Sequence, residues 1–227
     1  MTRFKVVSVD MFRTLVDLAS VENRIWPALL GDNYSPRLAE ECGAYAGNSL
    51  FEYMPIDSFL SCKAIFAACF RELFAVKGLD LDSHEAANVW AAQHPLSPPF
   101  DDSPAFLNAV RKRHRICLAS DTDDDMLGKL KEMCVFDHIF TSEQLGCYKA
   151  YGDGRFFRAV VDYYGVSPGE ILHVGDGVQE TVGAKKAGLV ACWLNRRSQS
   201  WSHDVKPDFE VNSLTDVASL LGLDAPC

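Results

Sequence analysis

An uncharged, β-branched run, Val6-Val7-Ser8-Val9, stops at Asp10. A run of this kind suits a strand covered on both faces, as in a parallel sheet. A carboxylate at its end is costly to bury unless it is paired, hydrogen-bonded or bound to a cation. Alone, Asp10 reads equally as a loop-capping residue, because Asp is common in turns. The functional reading gains weight because polar residues recur near later strand ends. Ser120 follows the run Arg115 to Ala119, Asp176 follows Ile171 to Val174, and Lys149 lies in the loop after His138 to Thr141.

From about residue 96 onward the chain alternates strand and helix. Helices are predicted at 103–113, 123–133, 153–165, 179–187 and 214–221. Strands are predicted at 115–119, 138–141, 171–174, 190–194 and 209–211. This alternation predicts an α/β fold, with a Rossmann-like parallel sheet wrapped by helices on both faces. Three aspartates, Asp123 to Asp125, suit the start of the second of these helices by complementing its dipole.

Residues 18–95 read differently, with no convincing strand. Helical patterns begin at Val21, with Pro27 interrupting or sitting in the first turn, and at Ser35-Pro36, running to about 52. The strongest spans 57–76, with Asp57 or Ser58 as its cap. Its apolar stripe is Phe59, Leu60, Phe66, Phe70 and Phe74, with Lys63 at the edge. Gly78 ends it, and a further helix covers 82–93. The expected organisation is a core domain of residues 1–17 and 96–227 and a helical cap domain of 18–95. Pro95, Pro98 and Pro99 mark the return to the core.

Composition narrows the function. A net charge of −9 argues against a nucleic-acid partner, which calls for a basic surface. No apolar run is long enough to span a membrane, and the first residues lack a signal-peptide pattern, so a cytoplasmic protein is expected. The eight cysteines show no C-x-x-C spacing and the six histidines no metal-ligand spacing, so buried reduced thiols are expected. A monomer or homodimer would suit this composition equally.

Ligands of open α/β sheets bind beyond the carboxyl ends of the strands. Two carboxylates converging there repel unless a cation lies between them. Oxygen-only ligation suits Mg²⁺, which keeps waters and accepts a substrate phosphate. A hydroxyl at Ser120, beside a helix start, would hold an anionic oxygen. An ammonium at Lys149 would neutralise charge on nucleophile and substrate.

Four segments resemble the motifs of the haloacid dehalogenase-like (HAD) hydrolase superfamily. They are Asp10-Met11-Phe12-Arg13-Thr14-Leu15, Leu118-Ala119-Ser120, Lys149, and His173 to Glu180 with its Gly175-Asp176 pair. Their order and spacing match over essentially the whole chain, and the helical insertion sits where the helical-cap subclass carries it. Cys192-Trp193-Leu194-Asn195-Arg196 also looks like this branch. The resemblance implies that Asp10 is a nucleophile forming an aspartyl intermediate. It implies Mg²⁺ held by Asp10, the Phe12 carbonyl and Asp176, with Glu180 supporting the water shell. Thr14 would orient Asp10, and Ser120 and Lys149 would bind the transferring group of a small anionic substrate.

Departures from the pattern divide the functional expectation. Family phosphatases usually place a second Asp two residues after the nucleophile, to move protons. Here Phe12 occupies that position. Dehalogenases carry a Tyr there, lack the Gly-Asp pair, and use a cap arginine, for which Arg24 and Arg37 are the nominees. Arg13 replaces the family's usual Gly and could bind an anion or block the pocket. A Mg²⁺-dependent phosphatase acting on a small phosphorylated metabolite is the leading expectation. The alternatives are a 2-haloacid dehalogenase-like hydrolase and a catalytically weakened domain that binds a ligand or partner.

Overall fold

The computed structural model describes residues 3–49, 58–150 and 153–223. The strands are β1 (Val6–Val9), β2 (Arg115–Ser120), β3 (His138–Thr141), β4 (Ile171–Gly175), β5 (Val190–Leu194) and β6 (Phe209–Val211). They form one sheet in the order β3-β2-β1-β4-β5-β6, and every pairing is parallel. This is the α/β, Rossmann-like sheet that the alternation predicts. β1 is central, and all four of its residues are buried. The chain runs outward to β2 and β3, then returns to the other side of β1 for β4, β5 and β6. The order therefore reverses between β1 and β4, where open α/β sheets leave a crevice for ligands.

Register fixes which residues meet at that crevice. Val9 pairs with Leu118 on one side and with Val174 on the other. Asp10, Ser120 and Asp176 consequently leave the sheet along one edge. The faces divide by the two-residue period of a strand. Val7 and Val9 pack with Phe106 and Val110 of α5 (Ser103–Val110) and with Leu214 and Val217 of α10 (Leu214–Leu220). Val6 packs on the opposite face with Phe156, Phe157 and Val160 of α8 (Arg155–Tyr164) and Ala184 of α9 (Val178–Lys186).

Between β1 and α5 the described residues hold four helices: α1 (Ala19–Leu30), α2 (Pro36–Ser49), α3 (Cys62–Lys77) and α4 (Ser83–Gln93). Their apolar faces join the same buried cluster as α8 and α9. Rings fill its centre. Trp90 lies 5.4 Å from Trp26, 5.8 Å from Phe66 and 5.6 Å from Phe70, between ring centroids. Truncating one such buried Phe typically costs about 3–5 kcal/mol. The segment joins the sheet through paired backbone at its two ends. Asp17 donates its N–H to Pro98 O (2.8 Å) and Phe100 to Leu15 O (3.0 Å).

Several local expectations are corrected. The cap of α3 is Ser61, whose hydroxyl accepts the N–H of Ala64, so the helix starts later than expected. Ser58 precedes it, and Asp57 lies outside the described residues, as does the end of the expected helix 36–52. Pro27 lies in the last turns of α1 rather than its first. The helix expected at 123–133 is only α6 (Asp124–Leu127), followed by a 3₁₀ stretch over Gly128–Glu132. Gly128 breaks it at φ +47°, where an added Cβ would lie 2.7 Å from Pro95 Cβ. A side chain there would meet both a disfavoured backbone conformation and a steric clash. A four-residue helix, α7 (Ser142–Leu145), separates β3 from the loop carrying Lys149. The seven described cysteines are all free, and no described helix is long and apolar enough to cross a membrane.

Candidate active site

Asp10 sits at the tip of β1, with its N–H donated to Val174 O at 2.9 Å. Its side chain is buried, and Oδ1 accepts from Lys149 Nζ at 2.6 Å. Lys149 is also buried, reaching in from the loop after α7, and donates to Ala119 O (3.1 Å) and Glu180 Oε2 (2.5 Å). Asp121 fixes that loop by accepting the N–H of Lys149 at 2.8 Å.

Glu180, in the first turn of α9, is held at three points. Its Oε1 accepts from Gly177 N–H at 2.8 Å, while Oε2 faces both Lys149 and His173 Nε2, the latter at 3.2 Å. His173 in turn reaches Ser8 Oγ through Nδ1 at 3.1 Å. The chain Ser8–His173–Glu180–Lys149–Asp10 thus runs under the strand tips. Gly175 is required by this packing: an added Cβ would collide with the Glu180 carboxylate. Asp176 follows and remains partly exposed, with its carbonyl accepting Trp193 Nε1–H at 2.9 Å.

Charge is unevenly compensated. Burial pushes Asp10 up to about 8; Lys149 opposes this, while Glu180 and Asp176 add to it. Burial likewise raises Asp176 to about 6, with Glu180 contributing. Burial alone would also raise Glu180, but Lys149 and His173 outweigh it and hold this carboxylate well below its usual range. The ammonium is disfavoured by burial, yet Asp10, Glu180 and Asp121 outweigh that and hold Lys149 well above the ordinary lysine value. One lysine therefore serves Asp10, Glu180 and Asp121, while Arg13, Lys149 and Arg197 act on Asp176 without offsetting its burial, so Asp10 and Asp176 carry the deficit.

Asp10, Asp176 and Glu180 each offer an oxygen, and the three oxygens lie within 4.8 Å of one another. Octahedral Mg²⁺ with Mg–O near 2.1 Å places its ligands about 3 to 4 Å apart. Donor type, spacing and unmet negative charge all fit a divalent cation. Glu180 is already committed to Lys149 and Gly177, so Asp10 and Asp176 are the carboxylates short of positive charge.

Other nominated residues fall differently. Ser120 Oγ is buried, with no hydrogen-bond partner among the described residues. A buried hydroxyl without a partner is uncommon in native proteins and marks a place where a ligand oxygen would be satisfied. Thr14 Oγ1 is also buried and without a hydrogen-bond partner among the described residues. Thr14 instead accepts Arg196 through its carbonyl, at 3.0 Å. Phe12 sets its ring edge-on to His94, with centroids 4.9 Å apart, and His94 stacks on Phe66 at 5.9 Å. Arg13 has φ +64° and lines a cleft of about 270 Å³ with Asp176, Phe100, Trp193 and Arg197. Neither nominated cap arginine lines that cleft. Arg24 is exposed, and Arg37 pairs with Glu41 at 2.9 Å on the surface.

Asp123, expected to complement the dipole of its own helix, has a different role. It is fully buried, and its two oxygens accept the N–H groups of Cys62 (2.7 Å) and Lys63 (3.0 Å) at the start of α3. Its carboxylate thus caps a helix 61 residues earlier in the chain. Beside it, Asp125 pairs with Lys63 at 2.7 Å, so Lys63 is not simply solvated. His173 and Asp121 were given no role; their signal was only their placement beside motif residues.

Fold and site together define a class: a doubly wound α/β enzyme whose polar groups gather at the switch point of a parallel sheet. A family model described as haloacid dehalogenase-like hydrolase matches residues 4–188, and the chain belongs to that family. It is 24% identical to the (S)-2-haloacid dehalogenase of Pseudomonas sp. strain YL over 230 residues, covering 97% of this chain and 95% of the relative. It is 29% identical to the phosphoserine phosphatase of Thermus thermophilus over 170 residues, 70% of this chain and 68% of the relative. Among solved structures, the magnesium-bound HAD-hydrolase YfnB of Bacillus subtilis superposes with a TM-score of 0.83 at 16% identity, covering 97% of this chain and 100% of that one.

Proposed function

We propose that the protein is a divalent-cation-dependent phosphohydrolase acting on a small phosphate monoester through Asp10. The observation that carries this reading is the clustering of Asp10, Asp176 and Glu180 oxygens within 4.8 Å, with Lys149 bonded to Asp10 and Glu180. An anionic substrate could not approach three carboxylates without further positive charge. Mg²⁺, held by Asp10, Asp176 and the Phe12 carbonyl with Glu180 behind it, would supply that charge and polarise the phosphoryl oxygens.

The residues divide the work as follows. Lys149 holds Asp10 Oδ1, which leaves Oδ2 as the attacking atom. As the Asp10–phosphorus bond forms, the bond from phosphorus to the ester oxygen breaks and the alcohol departs with that electron pair. The Ser120 hydroxyl and the Lys149 ammonium bind the transferring oxygens as charge develops. Water then attacks phosphorus, releasing phosphate and restoring the Asp10 carboxylate. Phe12 moves no proton, so the leaving oxygen is protonated from solvent. Esters of acidic alcohols are therefore the favoured substrates.

A second reading, carbon–halogen hydrolysis without metal, is favoured by Phe12 and by the likeness to the Pseudomonas enzyme. One experiment separates the two. Turnover of p-nitrophenyl phosphate is measured with Mg²⁺ and with a chelator, beside Asp10→Asn. Metal-dependent release of p-nitrophenol, lowered on the order of 10⁴-fold or more by the substitution, is expected. Chloride release from 2-chloropropionate in the chelated sample, with no phosphatase turnover, would overturn the proposal.

A further inference from the structure

Ser8 and His173 are polar residues in the middle of two buried strands. They face each other directly in the register of β1 and β4, and both are buried. The two-residue period of a strand turns them to the face of Val6 and Ile171, where α8 and α9 pack. The Phe157 ring of α8 lies edge-on to the imidazole, with centroids 4.6 Å apart. A hydroxyl and an imidazole are costly in such a layer unless each has a partner. Each has one: Ser8 Oγ lies 3.1 Å from His173 Nδ1, and Nε2 lies 3.2 Å from Glu180 Oε2.

These bonds have a direction. An ionised Glu180 only accepts, so Nε2 carries the hydrogen. Burial keeps the ring neutral, so Nδ1 presents a lone pair and the Ser8 hydroxyl donates to it. Glu180 Oε1 is anchored on the Gly177 N–H, so the freedom left to this carboxylate is a rotation that swings Oε2. Two donors oppose that rotation, Lys149 Nζ at 2.5 Å and His173. Away from them, Oε2 would turn toward Asp10 and Asp176, whose oxygens lie within 4.8 Å of those of Glu180.

We infer that His173, oriented by Ser8, is a positioning residue for the reaction at Asp10: it keeps Glu180 Oε2 on Lys149, and thereby keeps the ammonium on Oδ1 of the nucleophile. His173 touches none of the reacting atoms and acts through Glu180 and Lys149. The inference rests on the phosphohydrolase reading for the reaction that is served, while the hold on Lys149 does not depend on turnover. A histidine that served packing alone would need only its ring against Phe157. Phenylalanine keeps such a ring and removes both hydrogen bonds, so His173→Phe separates the two roles.

The test pairs kinetics with the proton–nitrogen correlation spectrum of the Lys149 ammonium in Mg²⁺ buffer, assigned by its loss in Lys149→Arg. His173→Phe is expected to lower kcat for p-nitrophenyl phosphate about 10- to 100-fold, with KM within about twofold of wild type, as for other groups that orient a functional side chain. Its ammonium protons should exchange with water about 10-fold faster as the local hold is lost. His173→Gln, whose amide nitrogen can donate near the position of Nε2, should bring both readouts back to within about threefold of wild type. Ser8→Ala tests the same hold if His173→Phe does not fold, and should move both readouts by about threefold. Circular dichroism confirms folding of each variant. Unchanged ammonium exchange in His173→Phe and Ser8→Ala, or no recovery in His173→Gln, reduces His173 to packing and overturns the inference. Faster exchange with kcat unaltered in an active enzyme overturns it too. Faster exchange in a protein whose wild type hydrolyses no phosphate ester keeps the hold on Lys149 and rejects the phosphohydrolase reading.

Discussion

The two flanks of Asp10 differ in kind. On one side lie Lys149, Glu180 and His173, tied to Asp10 and to one another through bonds of 2.5 to 3.2 Å, with the Asp176 carboxylate beside them. On the other lie Phe12, His94 and Phe66, stacked ring against ring. His94 donates its Nδ1–H to Trp90 O at 2.9 Å, and burial lowers it to about 4, so it stands neutral at pH 7. On the proposed phosphohydrolase reading, the charged flank would stabilise a transferring anion. The aromatic flank supplies packed rings and, on that reading, would place no carboxylic acid beside the leaving group. The difference teaches that electrostatic stabilisation and proton transfer are separable parts of such a site, contributed here by different elements and present in unequal measure.

Removing the keystone of the charged flank should have the largest effect. In Lys149→Met, Asp10 and Glu180 would face each other without their shared cation. A fall in kcat/KM of about 10²–10³-fold is expected for loss of preorganised charge stabilisation. Breaking a buried ion pair on one side also costs about 3–5 kcal/mol of stability, which thermal unfolding in the same buffer would register. A loss of less than tenfold in turnover would mean that the charged flank serves the fold rather than the reaction.

Adding to the aromatic flank should have the next largest effect, in the opposite direction. Phe12→Asp places an acid where the flank has a ring. General acid–base help is worth about 10²–10⁴-fold when well positioned, and a newly introduced, unsupported group should deliver the lower part of that range. The gain should appear with alkyl phosphates, whose leaving groups need a proton, and be slight with p-nitrophenyl phosphate. Equal gains on both substrates would show that Phe12 obstructs the pocket and that a proton was not what the flank lacked.

These contrasts also mark what was readable in the chain itself. Asp10, Lys149 and Asp176 were legible because a parallel sheet sends its strand tips to one edge, and that topology follows from alternation alone, whereas Glu180 entered only through the family resemblance. Phe12 was legible as a gap only against the motif of the family that the chain resembles. Asp123 was not, because its partners are backbone N–H groups on α3, and nothing in Asp-Thr-Asp-Asp-Asp says which helix the second Asp will cap. Nor was the broken helix after Asp124, since the contact of Gly128 with Pro95 joins segments far apart in sequence. The unsatisfied Thr14 hydroxyl and the left-handed backbone of Arg13 depend on how the loop after β1 closes onto Val16. Local pattern predicts elements, while the pairing of loops with distant helices depends on packing.

A smaller effect tests whether the charged flank is built for a cation. Asp10 and Asp176 are raised to about 8 and about 6, whereas a free aspartate in the unfolded chain titrates near 4. The folded state therefore binds more protons than the unfolded state between those values, and metal-free stability from these two groups falls as pH rises from about 4 to 8. A divalent ion removes the cause. The increment in Tm on adding Mg²⁺ should therefore grow from pH 5 to pH 8, by a few degrees, since about 1 kcal/mol is worth roughly 2–4 °C in a chain of this size. The buried histidines contribute to both arms and cancel in the difference. A Tm increment that is flat or falls with pH would remove the charge argument for a cation.

The smallest expected effect concerns what holds the aromatic flank in place. Asp123, on the loop that follows Ser120, caps α3, and α3 carries Phe66 against His94 and thereby against Phe12. Loss of a helix cap costs about 0.5–2 kcal/mol. Asp123→Ala should lower Tm by several degrees at most, and Asp123→Asn, which keeps one accepting oxygen for two N–H groups, by about half as much. Because the same loop holds Ser120 on the charged side, the two flanks are mechanically joined at this carboxylate. The alanine variant should therefore raise KM for phosphate esters two- to threefold or more, while the Mg²⁺ increment in Tm stays unchanged. If the Mg²⁺ increment fell with the cap, Asp123 would be stabilising the cation cluster as well as α3, and the separation of that cluster from the aromatic flank would fail.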